Sequence, residues 1–227
     1  MILNAFKAVR ITKKNRENMN GVRQRILATA KDLFVHQGYK KTTIRQIVEE
    51  SGVLTGSIYY FFKNKEDIFQ SLVLSLFRQC NYLIGEHFHD ESPAFRYAAL
   101  CQVEFEAVRM NELVRETYYE GYTSPVIFEK ITNHLTEMTI QIFGDSLTLS
   151  REDIFLRSLL IKGAMRSYVI QFGFSTSVDA GRYSEICLRT ALELLGVGCD
   201  ETDAVLERLR ERLPEIRDIA NTMIHQQ

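Results

Sequence analysis

The chain has 227 residues, enough for one large domain or two small ones, and its hydrophobic content of 45% is ordinary for a globular protein. No apolar run approaches the roughly 18–20 residues that a membrane-spanning helix needs, and the first residues lack the pattern of a signal peptide. The net charge of −1 conceals an asymmetry: residues 1–65 carry a net charge of +9, and residues 66–227 carry −10. A basic head on an acidic body favours a nucleic-acid-binding protein over a chance distribution of surface charge.

The four cysteines are scattered and form no C-x-x-C pair, so we expect reduced thiols in a cytoplasmic protein. The chain contains only three prolines and few alternating apolar segments. Both features favour an all-α fold.

The first predicted elements are an arm and a helix. Residues 1–20 are polar and basic without a steady period, which is typical of a disordered arm that either contacts DNA or has no role. Residues 22–37 carry apolar side chains at helical spacing, and Gly38 is suited to the position after the helix end.

Two short helices follow. Thr43 and Gln46 form a T-x-x-Q capping box, and Gly52 is the residue type that ends a helix with a positive φ. A second helix is predicted at 54–61. Two helices joined by a short glycine-containing turn are the pattern of a DNA-reading helix-turn-helix. The expected core of this head consists of Ile26, Leu33, Phe34, Ile44, Ile47, Val53, Ile58 and Phe62.

A long helix is expected from Asn64, which can cap it, to about residue 86, and this helix would carry motion from head to body. Further helices are predicted at 93–110, 112–119, 125–143, 152–172, 178–195 and 201–224. Ser177 and Asp200 are predicted caps, and Pro214 should kink the last helix. The predicted division is an arm (1–20), a helix-turn-helix domain (21–65) and a helical body (66–227).

The head resembles the DNA-binding signature of the tetracycline-repressor (TetR) family of bacterial regulators over about residues 22–68. The matching positions are Thr43, Ile47, Gly52, Val53, Gly56, Tyr59, Phe62 and Lys65. Leu54 departs from the family, which has Ser or Thr there, so we expect Thr55 to become the cap. Val48 and Ser51 stand where the family favours Ala, a tolerable change in packing.

The resemblance implies that the second short helix enters the major groove. Base-reading positions would be Thr55, Gly56 and Tyr59. Phosphate-contacting positions would be Thr43, Arg45, Ser57, Tyr60, Lys63 and Lys65. The alternative for Tyr59 and Tyr60 is aromatic packing, and we expect one of the two to serve the core.

In the body, the helices at 152–172 and 178–195 are rich in apolar residues on more than one face. By resemblance, this pair would form a four-helix bundle with a second subunit, whereas the alternative is the ordinary core of a monomer. The predicted dimer interface comprises Leu159, Gly163, Ala164, Tyr168, Leu188, Leu192 and Leu195. The charged last helix would cover this bundle or extend the dimer contact.

The family also implies an effector pocket in the body. The candidate lining residues are Tyr97, Cys101, Phe105, Tyr118, Tyr119, Met138, Met165 and Tyr168, for each of which core packing is the alternative. The sequence does not select an effector.

Other chemistry has weaker support. His87 and His89 precede two acidic residues but lack further spaced metal ligands, so we predict neither a metal nor a cofactor. Cys101 and Glu104 share a helix turn that His134 could approach, but no catalytic motif is present. We therefore expect a homodimeric, ligand-responsive repressor of a palindromic operator, with a helical enzyme or a non-DNA interaction module as the alternatives.

Overall fold

A computed structural model describes the backbone of residues 2–172 and 178–225, and the side chains of residues 19–112, 114–172 and 178–223. These residues form helices and no strand, so the predicted all-α fold is confirmed. None of the described helices combines the length and apolar character needed to cross a membrane. The helices are α1 (Ile2–Gln37), α2 (Ile44–Ser51), α3 (Thr55–Phe61), α4 (Lys65–His87), α5 (Pro93–Met110), α6 (Glu112–Thr123), α7 (Pro125–Phe143), a 3₁₀ turn (Gly144–Ser146), α8 (Arg151–Gln171), α9 (Ala180–Leu194), α10 (Cys199–Glu211) and α11 (Leu213–His225).

The chain divides into two compact units, Met1–Leu72 and Val73–Gln227. The boundary predicted from the sequence was residue 65, and the division falls instead within α4. In the first unit α1, α2 and α3 pack on one another. Their shared core is fully buried at Ile26, Ile47, Ile58 and Phe62, as the helical spacing predicted. The expected core residues Ile44 and Val53 are only half-buried.

The turn between α2 and α3 has the local geometry that the sequence predicted. The Thr43 hydroxyl accepts from the Gln46 amide at 3.2 Å, and the Gln46 side chain accepts from the Thr43 amide at 2.9 Å. Both bonds satisfy helix-end donors that lack partners within α2. Gly52 then adopts φ 64°, a left-handed conformation that side chains with a Cβ rarely take.

Two predictions about helix starts in this unit are wrong. Leu54, rather than Thr55, occupies the N-cap of α3, and it supplies no side-chain hydrogen bond, since leucine has no acceptor. The α3 start is closed only by the backbone bond from the Ser57 amide to the Leu54 carbonyl, at 2.8 Å. In addition, α1 begins at Ile2, so it includes the residues for which a disordered arm was expected.

The second unit is built around α5. Almost every side chain of α5 is buried, including Tyr97, Cys101 and Phe105, because α6, α7, α9, α10 and α11 all pack against it. Its start was predicted correctly: Ser92 caps the helix, and Pro93 needs no hydrogen-bond donor at the first position. The same serine–proline pair begins α7 at Ser124.

The C-terminal region differs from prediction. The expected single helix at 201–224 is two helices that meet at Arg212, and Pro214 is tolerated in the first turn of α11 because an amide there needs no helical acceptor. Apolar residues of α11, including Ile216 and Ala220, are fully buried, and α11 packs on α5. The N-cap of α10 is Gly198 rather than Asp200. Asp179 caps α9, whereas the predicted cap Ser177 lies outside the described residues.

Candidate nucleic-acid interface and ligand-binding unit

The α3 helix has one buried and one exposed face. Ile58 is buried against the core of the first unit, while Thr55, Gly56, Tyr59 and Tyr60 are exposed. All three predicted base-reading residues therefore lie on the exposed face. Because Ile58 fixes the rotation of α3, the sequence itself determines which side chains face outwards.

The two tyrosines are both available at this surface. Tyr59 is 56% exposed and Tyr60 is 71% exposed, so the expectation that one of them serves the core is wrong. Tyr60 makes an edge contact with the Phe61 ring, at 5.0 Å between centroids. Exposed aromatic side chains are costly to leave in water, which favours a contact surface at this helix.

Apart from its chain neighbours and the backbone of α3, no described atom lies within 4 Å of a Cβ built on Gly56. Packing among the described residues therefore does not require glycine at position 56. A small residue here instead leaves the α3 backbone open to close approach from outside.

The predicted phosphate contacts are less uniform. Lys63 is exposed, and Arg45 is exposed although it pairs with Glu49 at 2.8 Å. Ser57 is half-buried. Thr43 is exposed, but its hydroxyl donates to Gln46 at 3.0 Å within the capping box.

Lys65 has a structural role that the sequence did not reveal. Its ammonium group donates to the carbonyls of Tyr39 and Thr42, at 2.7 and 2.8 Å, and lies 4.2 Å from the centre of the Tyr39 ring. These bonds tie the start of α4 to the loop before α2. A direct phosphate contact would have to compete with them, so the phosphate role of Lys65 stays a prediction that this geometry disfavours.

Seven of the eight predicted effector-pocket residues belong to the packed interior of the second unit, and Tyr119 is exposed. Phe105 and Tyr168 line a cavity of about 310 Å³ among the described residues. Tyr118 borders a space of only about 10 Å³. Tyr97, Cys101, Met138 and Met165 fill the core, which was the alternative for each of them.

A buried ion pair in this interior was missed by the sequence reasoning. The Lys162 ammonium donates to both carboxylate oxygens of Glu104, at 2.7 and 2.9 Å, and the two side chains are only 1% and 3% exposed. Tyr122 donates to the same carboxylate at 3.3 Å, and Phe77 lies under the ammonium at 4.9 Å. The only sequence signal was a charged residue within the apolar stretch of each helix.

The residues considered for catalysis are not arranged as a nucleophile and base. Burial raises the pKa of the Cys101 thiol to about 12, so the reactive thiolate is absent near neutral pH. Burial, with repulsion from Lys162 and Arg78, lowers the pKa of His134 to about 4. Glu104 is held by Lys162. This chemistry disfavours the enzyme alternative.

The loop after α4 also lacks a metal site among the residues whose side chains are described. His89 pairs with Asp90 at 3.1 Å, and both are exposed. Glu91 is held by Arg208 and Arg212, at 3.0 and 3.1 Å.

Four of the seven predicted dimer residues are misassigned. Tyr168, Leu188, Leu192 and Leu195 are buried in the subunit's own core, because these apolar residues lie on the inward faces of α8 and α9. Leu159 is exposed, and Gly163 and Ala164 are half-buried, so the interface role of these three stays a prediction. The outward faces carry other exposed apolar residues instead: Leu156, Leu160 and Ile186.

The first unit contains two short helices joined by a glycine-containing turn, and the second unit is a larger set of helices. Residues 26–72 match the family model of bacterial regulatory proteins of the tetR family. The match lies within the first unit and covers about a fifth of the chain.

Curated relatives carry regulator names. The chain is 26% identical over 119 residues to the uncharacterized HTH-type transcriptional regulator YvkB of Bacillus subtilis, covering 52% of this chain and 60% of that protein. It is 30% identical over 90 residues to the HTH-type transcriptional repressor KstR2 of Mycolicibacterium smegmatis, covering 38% and 42%. The chain thus spans less than two thirds of either relative.

Solved structures share the fold over a larger part of the chain. The structure of RolR in complex with resorcinol has a TM-score of 0.63 at 17% identity and covers 85% of this chain and 96% of that one. Thermus thermophilus FadR, a TetR-family repressor in complex with lauroyl-CoA, has a TM-score of 0.58 at 16% identity, covering 75% and 93%. At these identities the likeness concerns the fold alone.

Proposed function

We propose that this protein is a DNA-binding transcriptional regulator, and that it acts as a repressor. The observation that carries the proposal is the outward face of α3, where Thr55, Gly56 and Tyr59 are exposed while Ile58 anchors the helix. A helix presented in this way can enter the major groove, which is wide enough to admit one.

Charge supports the same function. Residues 1–65 carry a net charge of +9, and the exposed side chains of Arg45 and Lys63 flank the helix-turn-helix. Phosphate contacts release counterions, so binding should weaken steeply with salt. Since α3 has no arginine, lysine or asparagine, we expect phosphate contacts and DNA shape to supply much of the affinity.

We further propose that the protein acts as a homodimer. The outward faces of α8 and α9 carry Leu156, Leu159, Leu160 and Ile186 exposed to solvent. Exposed apolar residues that gather on one surface are typical of an interaction site. Apart from its chain neighbours and the backbone of α8, no described atom lies within 4 Å of a Cβ built on Gly163, so glycine there leaves room for a second helix. Two heads would read palindromic half-sites about 34–36 Å apart.

The second unit is proposed to bind a small effector. RolR and FadR, which share the fold, were solved with small organic ligands, and the cavity beside Phe105 and Tyr168 offers space for one. An effector that prefers the released state would shift the population away from operator binding by its difference in affinity.

A gel shift on the DNA directly upstream of the protein's own gene tests the regulator. We expect Tyr59→Ala to abolish specific binding with the fold intact, because the side chain lies on the outward face of α3. Tyr82→Ala is the matched control, since Tyr82 is also an exposed tyrosine, at 65%, and lies in the second unit. Equal binding by both variants would contradict the groove assignment.

A further inference from the structure

The cavity of about 310 Å³ in the second unit has an apolar floor and a charged rim. Phe105 and Tyr168 form the aromatic part of the floor, with an edge-to-face contact at 4.7 Å between centroids. Leucines of α9 and α10, among them Leu188 and Leu206, complete it. The volume lies at the lower end of ligand pockets, which span roughly 300–1,000 Å³, so it suits one ring or a short chain.

The rim is organised around Glu106, whose side chain is only 6% exposed. Its carboxylate accepts from Arg109 at 2.6 Å, from Arg217 at 3.0 Å and from Gln102 at 3.0 Å. Burial raises the pKa of Glu106, but the hydrogen bonds from Arg109 and Arg217 outweigh it, so this pKa is lowered from its ordinary value. Glu106 is therefore ionised at neutral pH.

One carboxylate cannot neutralise two guanidinium groups. The third arginine of the rim, Arg210, has its own partner in Glu185 at 2.8 Å. The rim thus holds three arginines and two carboxylates, with the excess positive charge at Arg109 and Arg217. Each of these two contacts Glu106 through one nitrogen, although a guanidinium carries five N–H donors.

A neighbouring cluster shows what a purely structural arrangement looks like. Arg208 and Arg212 also share one carboxylate, that of Glu91, but each has a second acidic partner: Glu211 at 2.9 Å and Glu215 at 2.6 Å. Three carboxylates face two guanidinium groups in that cluster, so the chain itself compensates all of the positive charge, and none of these side chains lines the cavity. The pair at Glu106 differs in both respects.

We propose that this cavity binds a small organic acid. The ligand carboxylate lies between Arg109 and Arg217, and its apolar body packs on Phe105 and Tyr168. Bidentate guanidinium–carboxylate contacts suit this geometry. Binding itself is independent of the DNA-binding role, whereas any effect of the acid on operator binding rests on the proposed regulatory function.

Isothermal titration of the full chain with benzoate tests the site, and benzamide is the neutral ligand of matched shape. We expect benzoate to bind at least tenfold more tightly than benzamide, because a charge-assisted contact is lost with the amide. Equal affinity for the two, or no binding of either benzoate or octanoate at millimolar concentration, overturns the proposal.

Variants locate the contact. Arg217→Gln should weaken benzoate binding about tenfold or more, and Arg109→Gln provides a second variant if the first unfolds. Arg208→Gln, in the cluster around Glu91, should leave affinity unchanged. Glu106→Gln should tighten binding, because the ligand no longer competes with a fixed carboxylate. Loss of affinity in Glu106→Gln or in Arg208→Gln contradicts the assignment.

A gel shift with and without benzoate separates this proposal from the regulatory one. Benzoate binding that depends on Arg217 but leaves DNA binding unchanged supports the acid site and counts against its role as an effector site. A chain that binds benzoate but no DNA supports the site and refutes the proposed function.

Discussion

The ion pair of Glu104 and Lys162 provides a sharp test of the interior of the second unit. Both side chains are almost fully buried, and the carboxylate receives two bonds from Lys162 and one from Tyr122. We consider Lys162→Met, which has a similar length and no charge, and Glu104→Met, each made in a Tyr122→Phe background. The background removes a hydroxyl group that would otherwise lose its acceptor.

The two single changes should be far more harmful than the pair together. Lys162→Met leaves a buried carboxylate without its cation, and such a loss typically costs about 3–5 kcal/mol. Glu104→Met leaves a buried ammonium with a comparable cost, offset only by Phe77 beneath it. The double variant buries no charge, and replacing a buried pair by apolar residues is often neutral or stabilising.

Urea denaturation of the four proteins in this cycle measures the free energy of unfolding, provided that the m-value stays constant. We expect a coupling energy of several kcal/mol, with the double variant close to the background protein. Additive losses, or single variants as stable as the background, would refute the view that Lys162 and Glu104 are desolvated partners. Circular dichroism before denaturation checks that each variant remains helical.

Three further changes test other sites. Lys65→Met should lower the free energy of unfolding by about 1–3 kcal/mol, because the Tyr39 and Thr42 carbonyls lose the Lys65 donor. Unchanged stability together with a shallower salt dependence of DNA binding would instead favour a phosphate contact. Leu160→Glu should convert a dimer into a monomer in sizing chromatography, whereas Val126→Glu, at an exposed apolar position of α7, should not; a monomeric wild type would contradict the interface. The pKa of His134 is lowered to about 4. Between that value and about 6.5 the unfolded chain binds more protons than the folded one, so stability should fall as pH falls through this window. In thermal melts, the stability of His134→Phe should depend less on pH in this window. A pH profile identical to that of the wild type would contradict this role of His134.

Helix ends were predicted well where the signal is local. Ser92 with Pro93 begins α5, and Thr43 with Gln46 begins α2, because the cap and the groups it satisfies are within three residues of one another. The predicted cap of α3, Thr55, was wrong because no local capping signal determines where this helix starts. A missing cap at Leu54 does not move the helix, since burial of Ile58 determines where α3 lies.

The exposed face of α3 could be predicted from the sequence. Helical periodicity fixes which residues lie away from the buried Ile58. The clamp made by Lys65 could not, because its acceptors lie 23 and 26 residues earlier in the chain. The ion pair in the second unit spans 58 residues. Contacts of this kind depend on how helices pack, which periodicity does not specify.

Helical periodicity predicted only part of how α8 packs. Apolar residues occur around the helix, so the sequence indicated that α8 needs neighbours on more than one side. It did not indicate which residues meet the subunit's own core: Ile161 and Met165 do, while Leu156 and Leu160 remain exposed. Burying a leucine completely contributes about 1.5–3 kcal/mol, so leaving several exposed on one face forgoes a substantial stabilisation. A second copy related by two-fold symmetry would place its own α8 face against this one, so that every leucine of the pair is covered and each contact occurs twice. We therefore propose the dimer contact on this face rather than on the buried residues of α9.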